Sequence, residues 1–122
     1  MIKLVMCLRR KPGMTRAQFL EYWRTQHAPL FMQFADVFGT KKYVQDYTLD
    51  SPLNRAMQTS RSMLEEYDGI AHVWFESEEA LVAAMSSPEG QELSARLLED
   101  ESNFIDHTRS TAFLVEEHDF DE

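Results

Sequence analysis

Cys7 is the single cysteine in 122 residues, so no intrachain disulfide can form and a reducing, cytoplasmic setting is expected. Positive charge is scarce as well: 12 Lys and Arg stand against 21 Asp and Glu, a formal net charge of −9. That balance speaks against nucleic acid and anionic membrane surfaces, since both require a basic face that displaces counterions. Met1–Leu8 is too short an apolar run, and too soon followed by Arg9-Arg10, to serve as a signal or membrane segment. There is no CxxC, no HExxH and no Cys/His cluster. No spacing among His107, His118, Asp68 and Asp106 matches a ligand pattern, so no metal is expected. A GxGxxG or other nucleotide signature is absent too, and no bound cofactor is expected. Internal repeats and low-complexity linkers are missing, which leaves one domain over residues 1–117 and an acidic tail over 118–122.

What is present reads as a globular chain: 43% hydrophobic, 11% aromatic and 27% charged residues. A domain of this size buries one core but a smaller share of its surface than a larger protein, so oligomerisation is a natural supplement. The acids concentrate at Glu65–Glu66, Glu76–Glu79, Glu99–Glu101 and the tail, while Arg9, Arg10, Lys11 and Arg16 gather elsewhere. Such runs read as solvated surface.

Ile2–Arg9 is rich in strand formers and ends at Lys11-Pro12-Gly13, a turn signal. Thr15 and Gln18 form a capping box at the start of a helical pattern that runs to Phe34. In it Phe19, Leu20, Trp23, His27, Leu30, Phe31 and Phe34 recur at spacings of three and four. Pro29 should bend this helix or end its first half. Alternation over 42–49 predicts a strand, 51–66 an irregular excursion with about two helical turns, and 70–75 the clearest strand of the chain. Ser77 caps a helix that Ser87-Pro88 breaks, a further helix follows to about Phe104, and 108–116 reads as the last strand.

The order is β-α-β-(excursion)-β-α-α-β. It predicts an α+β, ferredoxin-like βαββαβ fold: a four-stranded antiparallel sheet with helices on one face. No element is left over to cover the other face, whose residues come out largely apolar. The simplest cover is a second copy, sheet to sheet, in a homodimer.

Several local strings then become familiar. Ile2–Val5 with Leu8-Arg9-Arg10 and Pro12-Gly13, Phe19 with Tyr22-Trp23 and His27-Ala28-Pro29-Leu30, Tyr67–Ala71 running into Trp74-Phe75, Ser87–Gly90 and Asn103–Asp106 together resemble the EthD domain family. The resemblance spans Ile2 to about Glu117 and implies a dimeric α+β barrel. Relatives on that barrel include cofactor-free monooxygenases, muconolactone isomerase, polyketide cyclases and haem-degrading enzymes. Some bacterial members of the family accompany ether-degrading oxygenase systems, and fungal ones resemble decarboxylases or dehydratases of aromatic polyketides. One departure is His72, at a position where the family leads one to expect a carboxylate.

His27 is the first catalytic candidate. It sits on an apolar helical stripe, and imidazole is the side chain whose charge changes near neutral pH, which suits a general base or acid acting on a phenol, enol or lactone. The alternative is a core histidine capping a carbonyl freed by Pro29. His72, mid-strand between Ile70 and Trp74, is the second: a pocket base, a partner of His27, or an interface residue. Trp23, Phe31, Tyr47 and Trp74, with Met6 and Met57, offer surface for a flat, apolar or aromatic ligand, or else are ordinary core. Asp106 is either a helix-end contact or an acid facing the pocket. Arg55 and Arg61 would meet a carboxylate under a closing lid or stay solvated. Cys7 reads as inert.

These residues favour a small cofactor-independent enzyme that acts on an aromatic, polyketide-like or lactone substrate. It would work by proton transfer (decarboxylation, dehydration, isomerisation or cyclisation) or by cofactor-free oxygenation of a substrate anion. The competing reading, from another class, is a non-catalytic small-ligand or haem-binding module accessory to an oxygenase system.

Overall fold

The computed structural model describes residues 1–121; Glu122, the end of the expected acidic tail, lies outside them. The chain forms β1 (Ile2–Leu8), α1 (Arg16–Tyr22), a π-helical turn (Trp23–His27), α2 (Ala28–Phe34) and β2 (Thr40–Tyr47). α3 (Pro52–Arg61), β3 (Gly69–Phe75), α4 (Glu78–Ser86), α5 (Pro88–Glu101), a 3₁₀ turn (His107–Arg109) and β4 (Thr111–Val115) follow. The four strands pair antiparallel in the order β2-β3-β1-β4, the ferredoxin-like arrangement expected of the sequence.

Period-two alternation divides the sheet. Leu4, Met6 and Leu8 of β1 stand opposite Val73, Ala71 and Gly69 of β3, and this face packs beneath the helices. Val5 pairs with His72, Cys7 with Ile70 and Lys3 with Trp74, so these point to the open face. Val44, Phe113 and Val115 join them from the outer strands. The open face is thus apolar at its centre, as anticipated, but Lys3, Lys42 and the His72–Asp46 pair make it partly charged.

Three local departures have physical causes. The first half of the helical run ends before Pro29 through a π turn: α1 stops at Tyr22, the π turn spans Trp23–His27, and Pro29 stands in the first turn of α2, where its missing N–H costs no helix bond. The excursion contains a full ten-residue helix, α3, capped by the Ser51 hydroxyl on the Leu53 amide and closed by Ser62 in the left-handed region at φ 54°. None of the α3 residues is buried. β4 starts later than the residue pattern suggests, because the Asp106 side chain caps the 3₁₀ turn that precedes it.

The open ends of β1 and β3 are locked by charge. Asp68, 4% exposed, accepts from the Arg10 amide at 2.8 Å, the Arg10 guanidinium at 2.6 Å and Arg16 Nε at 2.8 Å. Burial works to raise its pKa, but the bonds from Arg16 and Arg10 outweigh it and hold the carboxyl below its ordinary value. Glu66 is lowered to about 2, by the hydrogen bond from Gln58 first, then by a backbone amide and Arg16. A carboxylate depressed on folding adds stability that is present above its ordinary value near 4.5 and is lost as pH falls towards about 2. Arg16→Met should therefore move the acid-unfolding midpoint to higher pH, as followed by circular dichroism. An unmoved midpoint would show that this clamp does not govern acid stability.

Candidate active site

The site begins with a helix forced out of register. Over Trp23–His27 the backbone widens to π geometry, with the Ala28 amide donating to the Trp23 carbonyl five residues back. Phe19, Trp23 and His27 nevertheless all point inward, at 0%, 1% and 7% exposure. Trp23 packs against the start of β3, where a Cβ on Gly69 would come within 2.5 Å of its Cζ3. Glycine at that position is what lets the indole seat.

His27 packs on Phe104 with ring centroids 5.2 Å apart. Its Nδ1 meets Asp100 Oδ2 at 2.7 Å. The other oxygen, Asp100 Oδ1, accepts from the Tyr22 hydroxyl at 2.7 Å, and that hydroxyl accepts in turn from Asn103 Nδ2 at 3.0 Å. Burial, and then the bond to Asp100, push the Tyr22 phenol up, so it remains a donor. A carboxylate can only accept, so Nδ1 carries the hydrogen and the lone pair of a neutral ring lies on Nε2. No described residue hydrogen-bonds that nitrogen. The structure therefore answers one alternative posed by the sequence: the His27 ring holds a carboxylate, not a carbonyl freed by Pro29.

His27 lines a cavity of about 310 Å³ between the helices and the sheet, at the small end of the range for small-molecule sites. Its floor is Leu4, Met6, Leu8, Ala71, Val73 and Phe75, its walls include Trp23, Phe31, Phe38 and Ile105, and Met85 and Leu98, both about half exposed, stand at its rim. Polar side chains are few: His27, Tyr43, Ser94 and Glu101. A second cleft of about 320 Å³ lies over the Asp68 clamp. Its Arg10 and Arg16 are engaged by Asp68 and Glu66, and Arg9 and Arg109 approach Glu65. Such an arrangement reads as structural.

Of the residues singled out in the sequence, His27, Trp23 and Phe31 come together at the cavity. His72 does not join them. It lies on the open face, where Nε2 meets Asp46 Oδ2 at 2.7 Å, which leaves the interface alternative among those posed for it. Trp74 is on that face too, between Lys3 and Lys42 Nζ at 5.1 and 5.0 Å from its ring, and its indole donates to Glu117. Tyr47 stands edge-on to Trp23 at 5.8 Å but outside the cavity lining. Asp106 is the helix-end contact, accepting from the Thr108 amide and hydroxyl. Arg55 and Arg61 lie on α3, away from the cavity lining.

Asp100, Tyr22, Tyr43 and Gln45 are not among the site candidates that the sequence offers. A signal for Asp100 exists: it continues the Leu93, Leu97 stripe of α5, which Phe104 extends just past the helix, and an acid on an apolar stripe needs a partner. Among the described residues no group of three or more His, Cys, Asp or Glu is placed to hold a metal, and no helix is long and apolar enough to cross a membrane.

A ferredoxin-like α+β domain with a histidine-bearing cavity between helices and sheet defines the class. Residues 11–108 match the model of the EthD domain. The conidial pigment biosynthesis dehydratase EthD of Metarhizium robertsii is 30% identical over 105 residues, covering 84% of this chain and 72% of the relative. The chain belongs to the EthD domain family. Among solved structures, an ethyl tert-butyl ether D (EthD) family protein of Bacillus halodurans superposes with a TM-score of 0.63 at 22% identity, over 97% of this chain and 99% of the other. A dimeric protein of unknown function and ferredoxin-like fold from Bacteroides fragilis gives 0.58 at 8% identity, over 94% of each chain. At those identities the likeness is one of fold.

Proposed function

We propose that this protein is a small enzyme that moves protons on an aromatic or polyketide-like substrate, using side chains alone, with dehydration as the favoured outcome. The observation that carries the reading is the His27–Asp100 pair, which occupies Nδ1 and leaves Nε2 uncommitted on a histidine that lines an apolar cavity. There Nε2 takes the proton from a carbon beside a substrate carbonyl, and the C–H electrons become those of an enolate. When a β-hydroxyl is present, the imidazolium returns that proton to it, the C–O bond breaks, and water leaves with an unsaturated ketone as product. The step needs no oxidant. The name of the Metarhizium relative supports dehydration over the alternatives that share the first step. A direct test uses 1-tetralone, a flat ketone with exchangeable hydrogens beside its carbonyl. The protein in D₂O should accelerate deuterium uptake at that carbon, and a rate equal to buffer contradicts the proposal.

The same reading includes a homodimer joined through the open sheet face. Its support is the apolar centre of that face, where Val5, Val44, Ile70 and the half-exposed Phe113 lie without a covering element among the described residues. The dimeric Bacteroides neighbour is consistent with it. Sedimentation equilibrium at micromolar concentration should give about twice the 14.3 kDa chain mass. A monomer across that range contradicts the dimer.

A further inference from the structure

We infer that Tyr43 is the hydrogen-bond donor of the cavity, presenting its phenolic hydrogen to a carbonyl or enolate oxygen of the ligand and so selecting aryl ketones over plain hydrocarbons. The inference deepens the proton-transfer reading and rests on the same cavity. It begins with a question of amide orientation. Gln45 Nε2 lies 3.4 Å from the Trp23 carbonyl and 2.8 Å from the Tyr43 hydroxyl, while Gln45 Oε1 lies 2.7 Å from the Tyr47 hydroxyl. A carbonyl cannot donate, so the atom facing Trp23 O has to be the nitrogen. Its two hydrogens are then used, one on Trp23 O and one on Tyr43 Oη, and Oε1 accepts the Tyr47 hydrogen. Tyr43 is thereby fixed as an acceptor towards Gln45, and its own hydrogen has no protein acceptor among the described residues.

The residue that carries this unspent hydrogen borders the cavity. Tyr43 is a lining residue and packs on Phe31 with centroids 4.5 Å apart. Burial pushes the phenol up, against the opposing bonds from Gln45 and Trp23, so it keeps its hydrogen. The two groups divide one reaction. Nε2 removes a proton from carbon, the C–H pair forms the C=C bond, the carbonyl pair moves to oxygen, and Tyr43 O–H stabilises the resulting charge. Tyr47, outside the cavity, is a positioning residue that acts through Gln45.

The test compares binding of 1-tetralone and of naphthalene to the wild type and to Tyr43→Phe, which keeps the ring and loses the donor. The wild type should shift the carbonyl stretch of bound 1-tetralone to lower frequency. Tyr43→Phe should lose that shift and bind 1-tetralone roughly tenfold more weakly, with naphthalene unchanged. Equal affinity with an equal band in both proteins overturns the inference, as does a wild type that binds naphthalene but not 1-tetralone, or binds neither. Its failure is separable from that of the proton-transfer reading. Deuterium uptake with no effect of Tyr43→Phe removes Tyr43 and leaves His27; a Tyr43-dependent band shift without uptake does the reverse.

Discussion

His27→Gln should fold as the wild type does and lose about 10²- to 10⁴-fold of its deuterium-exchange rate on 1-tetralone. Glutamine retains a donor that reaches Asp100, so the Asp100–Tyr22–Asn103 chain stays occupied and the buried carboxylate is not orphaned. What glutamine cannot do is accept a proton at neutral pH. The pairing of an intact melting curve with lost chemistry separates catalysis from packing. A variant that exchanges at the wild-type rate ends the catalytic role of His27. One that loses stability and activity in proportion shows that the ring serves the core.

The second large effect is structural. Phe104 is 0% exposed and meets Phe19 at 5.4 Å, Tyr22 at 5.0 Å and His27 at 5.2 Å between ring centroids. Its carbonyl also accepts the Lys11 amide, tying the segment after α5 to the turn after β1. Phe104→Ala opens a void beneath the His27 ring and should cost about 3–5 kcal/mol in urea unfolding. Phe104→Leu should recover most of that stability. A loss under about 1 kcal/mol for the alanine variant would mean that this cluster is not the support of the site.

Much of the fold was legible because its signals are local. The Thr15–Gln18 capping box forms as read, Ser77 and Ser87 cap the helices they precede, and the strand-forming run 70–75 is β3, one of the two inner strands. Pro29 does mark the end of the first helical half, but the sequence rule does not foretell that a π turn makes the junction with α2. The excursion was underestimated because α3 buries none of its residues, so no apolar stripe marked its length.

The site divides along the same line. His27 and Trp23 share a helical stripe, and spacing alone puts them together. The face of His72 depends on which side of β3 the helices cover, and only the pairing of Ala71 with Met6 and Val73 with Leu4 decides that. Asp100 and Tyr43 escaped for a different reason. Asp100 gains its role from His27, 73 positions away, and Tyr43 from a bond to Gln45 whose direction the Trp23 carbonyl sets, and no local pattern carries these long-range contacts.

The central claim is that Asp100 fixes the His27 tautomer and leaves Nε2 free at the cavity. Long-range ¹H–¹⁵N NMR on imidazole-labelled protein at mildly alkaline pH tests it directly. The prediction is a protonated Nδ1, an unprotonated Nε2, and an Nε2 signal that moves on addition of 1-tetralone while those of His72 and His107 stay in place. A protonated Nε2, or a His27 signal indifferent to the ketone, would contradict it.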